Sequence, residues 1–207
     1  MIKKNKKESG FTLIETMVAI LIFTILALGV STLFTNIFIN SKGRFAAISD
    51  IDQAQMVATN FTNEIRIAST GNTGDYPINQ ASDTQIIFYS NYKQNLGIVA
   101  RIRYYLSGKT LYKGIVIPSG SPLSYNLSQE KIQDVQNDVS NNGKPIFYYY
   151  DGNYNGSSTP LVQPINVNQV KYVIMNMNIL KQANTSTTTF NISAGASIRN
   201  LKTNLGN

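Results

Sequence analysis

One carboxylate stands at the start of a long apolar segment. Glu15 lies in the stretch SGFTLIETM, and no charged residue occurs between Thr16 and Ile39. A charged side chain in a membrane-spanning helix costs a few kcal/mol and is retained mostly where function requires it. Such a carboxylate needs a cation, yet the chain has no Lys or Arg between Lys7 and Lys42. Alternatively, Glu15 reaches the polar headgroups one turn from the helix start, where the helix dipole favours it.

The composition excludes most catalytic chemistry. The chain has 207 residues, with no cysteine and no histidine. Without these residues it cannot form Ser-His-Asp or Cys-His nucleophilic sites, and it lacks the usual zinc ligands. The remaining carboxylates form no acid–base pair that their spacing supports. The sequence therefore predicts neither an enzyme nor a bound cofactor.

A candidate calcium site occurs in DGNYNG. Asp151, Asn153 and Asn155 have the spacing that opens an EF-hand loop, but the twelfth position is Val162 instead of the usual Glu. Turns rich in Asp, Asn and Gly are common. A hairpin tip is the preferred interpretation of this segment.

A candidate nucleic-acid site consists of four basic residues among tyrosines, in a chain whose formal net charge is +7. Basic groups interleaved with aromatic rings can hold a nucleic acid backbone. The alternative is the solvated face of a sheet, in which arginine stems cover tyrosine rings. The four residues are Arg101, Arg103, Lys109 and Lys113.

The apolar run from Phe11 to Ile39 is long enough to cross a bilayer, which takes about 20 helical residues. An ordinary secretory signal is shorter and has its small residues after the apolar region, whereas Gly10 comes before it. A cluster of lysines precedes the run and predicts a cytoplasmic N-terminus, with the rest of the chain outside. These are Lys3, Lys4, Lys6 and Lys7.

The helical pattern continues beyond the apolar run to about Ala68. Apolar residues recur there at alternating spacings of four and three, which indicates one face of an amphipathic helix. They are Ala47, Ile51, Ala54, Ala58, Phe61, Ile65 and Ala68. The predicted organisation is a basic leader (1–10), a membrane helix (11–40), an amphipathic helix (41–70) and a globular head (71–207).

The head is rich in β-branched and aromatic residues, so its segments predict strands. Residues Ser107 to Lys109 predict a short hairpin. We expect an α+β fold, in which the helix packs on an antiparallel sheet, with loops at 118–142 and 152–169. The predicted strands are TQIIFYS (84–90), GIVARIRYYL (97–106), TLYKGIVI (110–117), PIFYYYD (145–151), VKYVIMNMNIL (170–180) and TTTFNISAGASIR (187–199).

The segment SGFTLIE (9–15) resembles the prepilin cleavage and methylation motif of type IV pilins and type II secretion pseudopilins. The resemblance includes the basic leader, Gly10 and Phe11 on the two sides of the motif's cleavage position, and the glutamate at position 15. More loosely, YYLSGKTLYKGIVIPSG (104–120) and FYYYDGNYNG (147–156) are similar to the body of J-class minor pseudopilins and W-type minor pilins.

The resemblance implies that a prepilin peptidase cuts between Gly10 and Phe11 and that the new Phe11 amine is N-methylated. It also implies that Glu15 pairs with the N-terminus of a neighbouring subunit inside a filament. The expected partners are the peptidase, other pilins or pseudopilins, and an inner-membrane assembly platform. The protein would begin as a single-pass membrane protein and end in an extracellular or periplasmic filament.

One departure from the family bears on the role of the subunit. Many major pilins carry a proline in the middle of the membrane helix, where this chain has Thr32. We therefore expect a minor, structural pilin or pseudopilin. Two alternatives stay open: a pilin whose head contacts DNA or a transported substrate, and an uncleaved, membrane-anchored extracellular binding domain.

Overall fold

The computed structural model describes residues 10–91, 97–183 and 186–201, and at residues 40–48, 182, 183 and 186 it describes the backbone alone. The predicted leader, apart from Gly10, lies outside the described residues. Two compact units divide the chain, Met1–Ala46 and Ala47–Asn207. A single α-helix, α1 (Leu13–Arg66), contributes to both.

The first unit contains the apolar part of α1. Leu13–Ile39 is long and apolar enough to cross a membrane, with a mean hydropathy of 2.5, and none of it is buried within the chain. Gly29 does not interrupt the helix. The helix starts at Leu13, two residues later than the sequence pattern predicted.

The second unit contains the C-terminal part of α1 and two antiparallel sheets. The first sheet has its strands in chain order: β1 (Ile78–Ala81), β2 (Gln85–Ser90), β3 (Ala100–Ser107), β4 (Thr110–Val116) and β5 (Lys131–Gln136). The second sheet has the order β6 (Phe147–Tyr150), β7 (Tyr172–Ala183) and β8 (Ser186–Ser197). Short 3₁₀ turns occupy Leu127–Gln129, Val167–Gln169 and Arg199–Leu201.

The predicted apolar stripe of α1 faces the core of the second unit. Phe61 is fully buried, and its ring centroid lies 5.4 Å from that of Tyr104 and 5.7 Å from that of Phe147. One helical side chain therefore contacts both sheets. Five predicted stripe residues are buried, namely Ala54, Ala58, Phe61, Ile65 and, two residues beyond the end of α1, Ala68. Ile51 is only partly buried, so the prediction is not confirmed there. The side chain of Ala47 lies outside the described residues.

The two strands and the hairpin predicted for residues 97–117 are confirmed, although β3 begins three residues later than predicted. In β3, Ala100, Ile102 and Tyr104 are buried while the residues between them are partly exposed. Ser107 pairs with Thr110, so Gly108 and Lys109 form a two-residue turn. Gly108 has a φ of 61°, a left-handed conformation that favours glycine.

Two expectations about the head were wrong. The expected single sheet is two sheets, and the predicted loop at 118–142 contains β5. The sequence KIQDVQ lacks the apolar alternation that indicates a strand. The reason is that β5 lies at a sheet edge, where its first four residues are exposed. Strand β1 was missed for a related reason, since its two middle residues are polar and exposed.

The chain leaves the first sheet directly after β5 and joins the second. Val139 forms a bridge with Ile179 of β7, and the Leu180 amide donates to the Asp138 carbonyl. The buried Asn141 side chain then donates to the Asn176 carbonyl and accepts from the Asn178 amide, both at 2.8 Å. These bonds satisfy backbone groups at the place where the chain passes between sheets.

Candidate processing and assembly segment

The Gly10–Phe11 peptide bond lies just before α1. Residues 10–12 are not helical, and the Thr12 carbonyl accepts the first hydrogen bonds of the helix, from the amides of Glu15 (3.1 Å) and Thr16 (3.2 Å). The Thr12 hydroxyl also accepts from the Glu15 amide, at 3.4 Å. Thr12 therefore caps the helix, and the Gly10–Phe11 peptide bond lies in non-helical backbone.

This cap is a feature that the sequence predictions missed. The signal was present, because Thr-x-x-Glu is a capping-box pattern, and it occurs here as Thr12 to Glu15. The pattern is consistent with a helix that begins at Leu13, two residues after Phe11. A mature chain beginning at Phe11 would keep the same cap.

Nothing in the described chain requires glycine at position 10. A Cβ built on Gly10 would meet no described atom within 4 Å. The backbone φ angle of Gly10 is not positive, whereas those of Gly74 and Gly108 are. A requirement for glycine at this position would therefore come from outside the described residues.

The apolar segment presents its side chains outward. Phe11 is 79% exposed, and large apolar residues along the helix are similarly exposed, among them Leu13, Phe23, Leu28 and Phe38. The threonine hydroxyls in this segment donate to carbonyls in the preceding turn of the same helix, at 2.7–2.9 Å. Such bonds satisfy hydroxyl groups in a medium that lacks water. These threonines are Thr16, Thr24, Thr32 and Thr35.

Glu15 lies four residues after Phe11. It is in the first turn of α1, where the helix dipole favours a negative charge. In the sequence, no Lys or Arg occurs between Lys7 and Lys42. After a cut at Gly10, the amine of Phe11 would be the nearest cation to Glu15 along the chain.

The comparison with protein families matches this same segment. Residues 5–31 match the family described as the prokaryotic N-terminal methylation motif. The chain carries a prokaryotic N-terminal methylation motif at these residues. The matched range includes Gly10, Phe11 and Glu15, and it confirms the resemblance to type IV pilins and pseudopilins. It ends within α1, so the motif concerns the N-terminal segment and not the head. No curated protein matches the chain.

The four candidate nucleic-acid residues do not share one surface. Arg103 donates to Glu130 from Nε at 2.9 Å and from its terminal nitrogen, and Arg101 lies 3.7 Å from the same carboxylate. The Glu130 hydrogen bond raises the pKa of Arg103, despite the opposing effect of burial. Lys113 is 9% exposed and forms an ion pair with Glu64 of α1 on the opposite, core-facing side of the sheet. Lys109 is exposed in the β3–β4 turn.

The three calcium candidates form local turns. The Asp151 carboxylate accepts from the Asn153 amide at 2.9 Å, and the Asn155 side chain accepts from the amide of Ser157 at 3.1 Å. Each side chain is used within its own turn, as expected for Asx turns. Among the residues that the structure describes, no cluster of three or more acidic side chains is placed to hold a metal ion.

Proposed function

We propose that this protein is a structural subunit of a pilus-like or type II secretion-like filament. In this proposal a prepilin peptidase cuts between Gly10 and Phe11, the Phe11 amine is methylated, and an inner-membrane assembly platform inserts α1 among other pilins or pseudopilins. The observation that carries the proposal is the apolar, outward-facing helix Leu13–Ile39, which begins with a methylation motif. Such a surface needs either lipid or other helices around it.

The proposed location follows from the same segment. Before assembly the helix would span the cytoplasmic membrane, with the lysine-rich N-terminus in the cytoplasm and the head outside. After assembly the helix would lie in the filament core, with the head displayed in the periplasm or outside the cell. The head serves as a displayed module in this account and carries out no catalysis.

The proposal also assigns this subunit a minor, low-copy role in the filament. It is supported by Thr32, which stands where many major pilins have proline. The Thr32 hydroxyl donates to the Leu28 carbonyl at 2.9 Å, and the helical hydrogen bonding continues past this position. A proline here would remove a backbone donor and bend the helix.

Substitution of Glu15 tests assembly separately from membrane anchoring. Glu15→Val and Glu15→Ala make the span more apolar, so insertion should be unchanged. Incorporation into filaments should fall at least tenfold, because a neighbour's buried ammonium group would lose its partner, a loss of about 3–5 kcal/mol for a buried pair. Incorporation of Glu15→Gln should be at best intermediate between that of the wild type and that of Glu15→Ala, because glutamine keeps a hydrogen-bond acceptor and loses the charge.

The measurement is the amount of the protein in sheared filaments relative to the membrane pool, in cells that assemble them. Thr16→Val is the matched control, since it removes a neighbouring polar group whose only described hydrogen bond is to the Leu13 carbonyl. This control should assemble like the wild type. Equal ratios for wild type and all Glu15 variants would contradict the proposal and favour the uncleaved, anchored domain, in which Glu15 extends to the headgroups.

A further inference from the structure

A small pocket lies at the end of the second sheet, where β6 and β8 end and β7 begins. It has a volume of about 250 Å³, slightly below the range of about 300–1,000 Å³ that is typical of pockets for drug-sized ligands. This volume suits a ligand with a single small ring. Tyrosine rings and polar side chains form most of the lining, which includes Asp151, Tyr154, Lys171, Tyr172, Ser197 and Leu201.

The register of the sheet brings the residues of this pocket together. Tyr150, Tyr172 and Ser197 lie opposite one another across β6, β7 and β8. The Lys171 backbone extends this pairing, because its amide donates to the Tyr150 carbonyl at 2.8 Å and its carbonyl accepts from the Ile198 amide at 3.0 Å. The pocket is therefore built on paired backbone, which holds its groups in fixed positions.

A ring from the loop after β6 forms part of the pocket wall. The ring centroid of Tyr154 lies 4.2 Å from that of Tyr150 and 4.5 Å from that of Tyr172, at interplanar angles of 42° and 29°. Gly195 leaves room for Tyr172, because a Cβ at this position would lie 3.0 Å from a carbon of the Tyr172 ring. The three tyrosines thus hold one another in place before a ligand arrives, which lowers the entropic cost of binding.

The polar groups of the pocket include one acid and one base. The Asp151 carboxylate accepts from the Asn153 amide at 2.9 Å and keeps further acceptor positions. Within the described part of the chain, the Lys171 ammonium group forms no ion pair. A cationic ligand would meet Lys171 and an anionic ligand would meet Asp151. The lining therefore favours a neutral ligand that both donates and accepts hydrogen bonds.

We propose that this pocket binds one neutral pyranose ring of a carbohydrate, with Tyr154 and Tyr172 as its aromatic wall. A pyranose has C–H groups on its faces and hydroxyl groups around its edge. The C–H groups suit the electron-rich face of a tyrosine ring. The hydroxyl groups can donate to the Asp151 carboxylate and accept from the Lys171 ammonium group. The proposal concerns the head alone, so it holds whether or not the chain assembles into a filament.

Saturation-transfer-difference NMR of the full chain tests the pocket with four neutral probes, the methyl glycosides of glucose, galactose, mannose and N-acetylglucosamine. The micelles consist of a polyoxyethylene alkyl ether, since this detergent has neither a sugar nor an ammonium headgroup. We expect at least one of the sugars to bind, and binding of none would overturn the proposal. Tetramethylammonium is the comparison, because aromatic rings can also enclose a cation. Binding of this cation in place of every sugar would likewise overturn the proposal.

Variants of Tyr154 locate the bound sugar. Tyr154→Ala should weaken its binding at least tenfold, whereas Tyr154→Phe should bind within threefold of the wild type because it keeps the ring. Tyr112→Ala is the matched control, since Tyr112 is also partly exposed and stacks on another tyrosine, Tyr105 at 5.3 Å, but lies in the first sheet. Its affinity should stay within twofold of the wild type. Equal losses for the two alanine variants would overturn the proposal.

A chain that ends at Leu201 provides a second comparison. Residues 202–207 follow directly after Leu201, which lines the pocket. The shortened chain and the full chain should bind the sugar with affinities within twofold of each other. Binding by the shortened chain alone would show that the pocket is closed in the full chain and would overturn the proposal.

Discussion

Phe61 is the side chain whose removal should most weaken the head. It lies on the buried stripe of α1, is fully buried and contacts rings from both sheets. The ring centroids of Phe88, Tyr104 and Phe147 lie 6.2, 5.4 and 5.7 Å away, respectively. Phe61→Ala would therefore leave a cavity at the place where the helix and the two sheets meet.

The expected cost can be estimated from this environment. A buried Phe→Ala substitution costs about 3–5 kcal/mol, and the upper half of that range applies where the surroundings cannot close the cavity. Aromatic pairs add about 0.5–1.5 kcal/mol beyond the effect of burial. Because Phe61 has three ring partners on two different sheets, we expect a loss of about 4–5 kcal/mol. This is a large share of the 5–15 kcal/mol typical of a folded domain.

The assay is urea unfolding of the full chain in detergent micelles, followed by the near-ultraviolet circular dichroism of its tyrosines. Phe61→Leu keeps most of the volume and should lose about 1.5 kcal/mol or less. Met56→Ala is the matched control on the same helix, since Met56 is 59% exposed, and it should change the free energy of unfolding by less than about 0.5 kcal/mol. A loss below about 1 kcal/mol for Phe61→Ala would show that the stripe does not pack on the sheets as described.

Two further predictions concern the sheets of the head. A Cβ at Gly114 would overlap the carboxylate of the flexible Glu130 side chain, so Gly114→Ala should displace this carboxylate, weaken its ion pair with Arg103 and cost up to about 1 kcal/mol in urea unfolding. Gly152→Ala is the control, because a Cβ there would have its nearest neighbour 3.9 Å away, and it should lower the free energy of unfolding much less. Equal losses of unfolding free energy for the two variants would contradict this account. Burial, with the Asp75 carboxylate, raises the pKa of Tyr89 to about 12, and burial also raises the pKa of Tyr149. Because tyrosines in the unfolded chain ionise near pH 10, stability should fall as the pH rises from 10 toward 12, and titration of every tyrosine near pH 10 in the folded chain would refute this.

The features that the sequence predicted well are those with strong local patterns. The membrane segment, the buried stripe and the β3–β4 hairpin each depend on spacing within one stretch of chain. Phe61 and Ile65 could be assigned to a core face because their helical periodicity is unbroken. The methylation motif is likewise a short, contiguous pattern, so the order of its residues is enough to recognise it.

The missed features depend on contacts between distant residues. Strand β5 has little apolar alternation because it is an edge strand, and its pairing with β4 is visible only in three dimensions. The division into two sheets depends on Val139 meeting Ile179, forty residues later. Similarly, Lys113 lies opposite the buried Tyr104 in the β3–β4 pairing, so it shares the core-facing side with Tyr104, whereas Arg103 points to the other side. Their ion-pair partners, Glu64 and Glu130, are distant in sequence.

The state of the mature N-terminus tests the central claim most directly. The protein would be isolated from cells with an active prepilin peptidase, and its N-terminal peptide would be identified by mass spectrometry. Cells lacking the peptidase serve as the control and should contain the uncut chain. We predict a mature chain that begins at Phe11 and carries one added methyl group on its amine. A chain that still begins at Met1 or Ile2 in cells with an active peptidase would contradict the account.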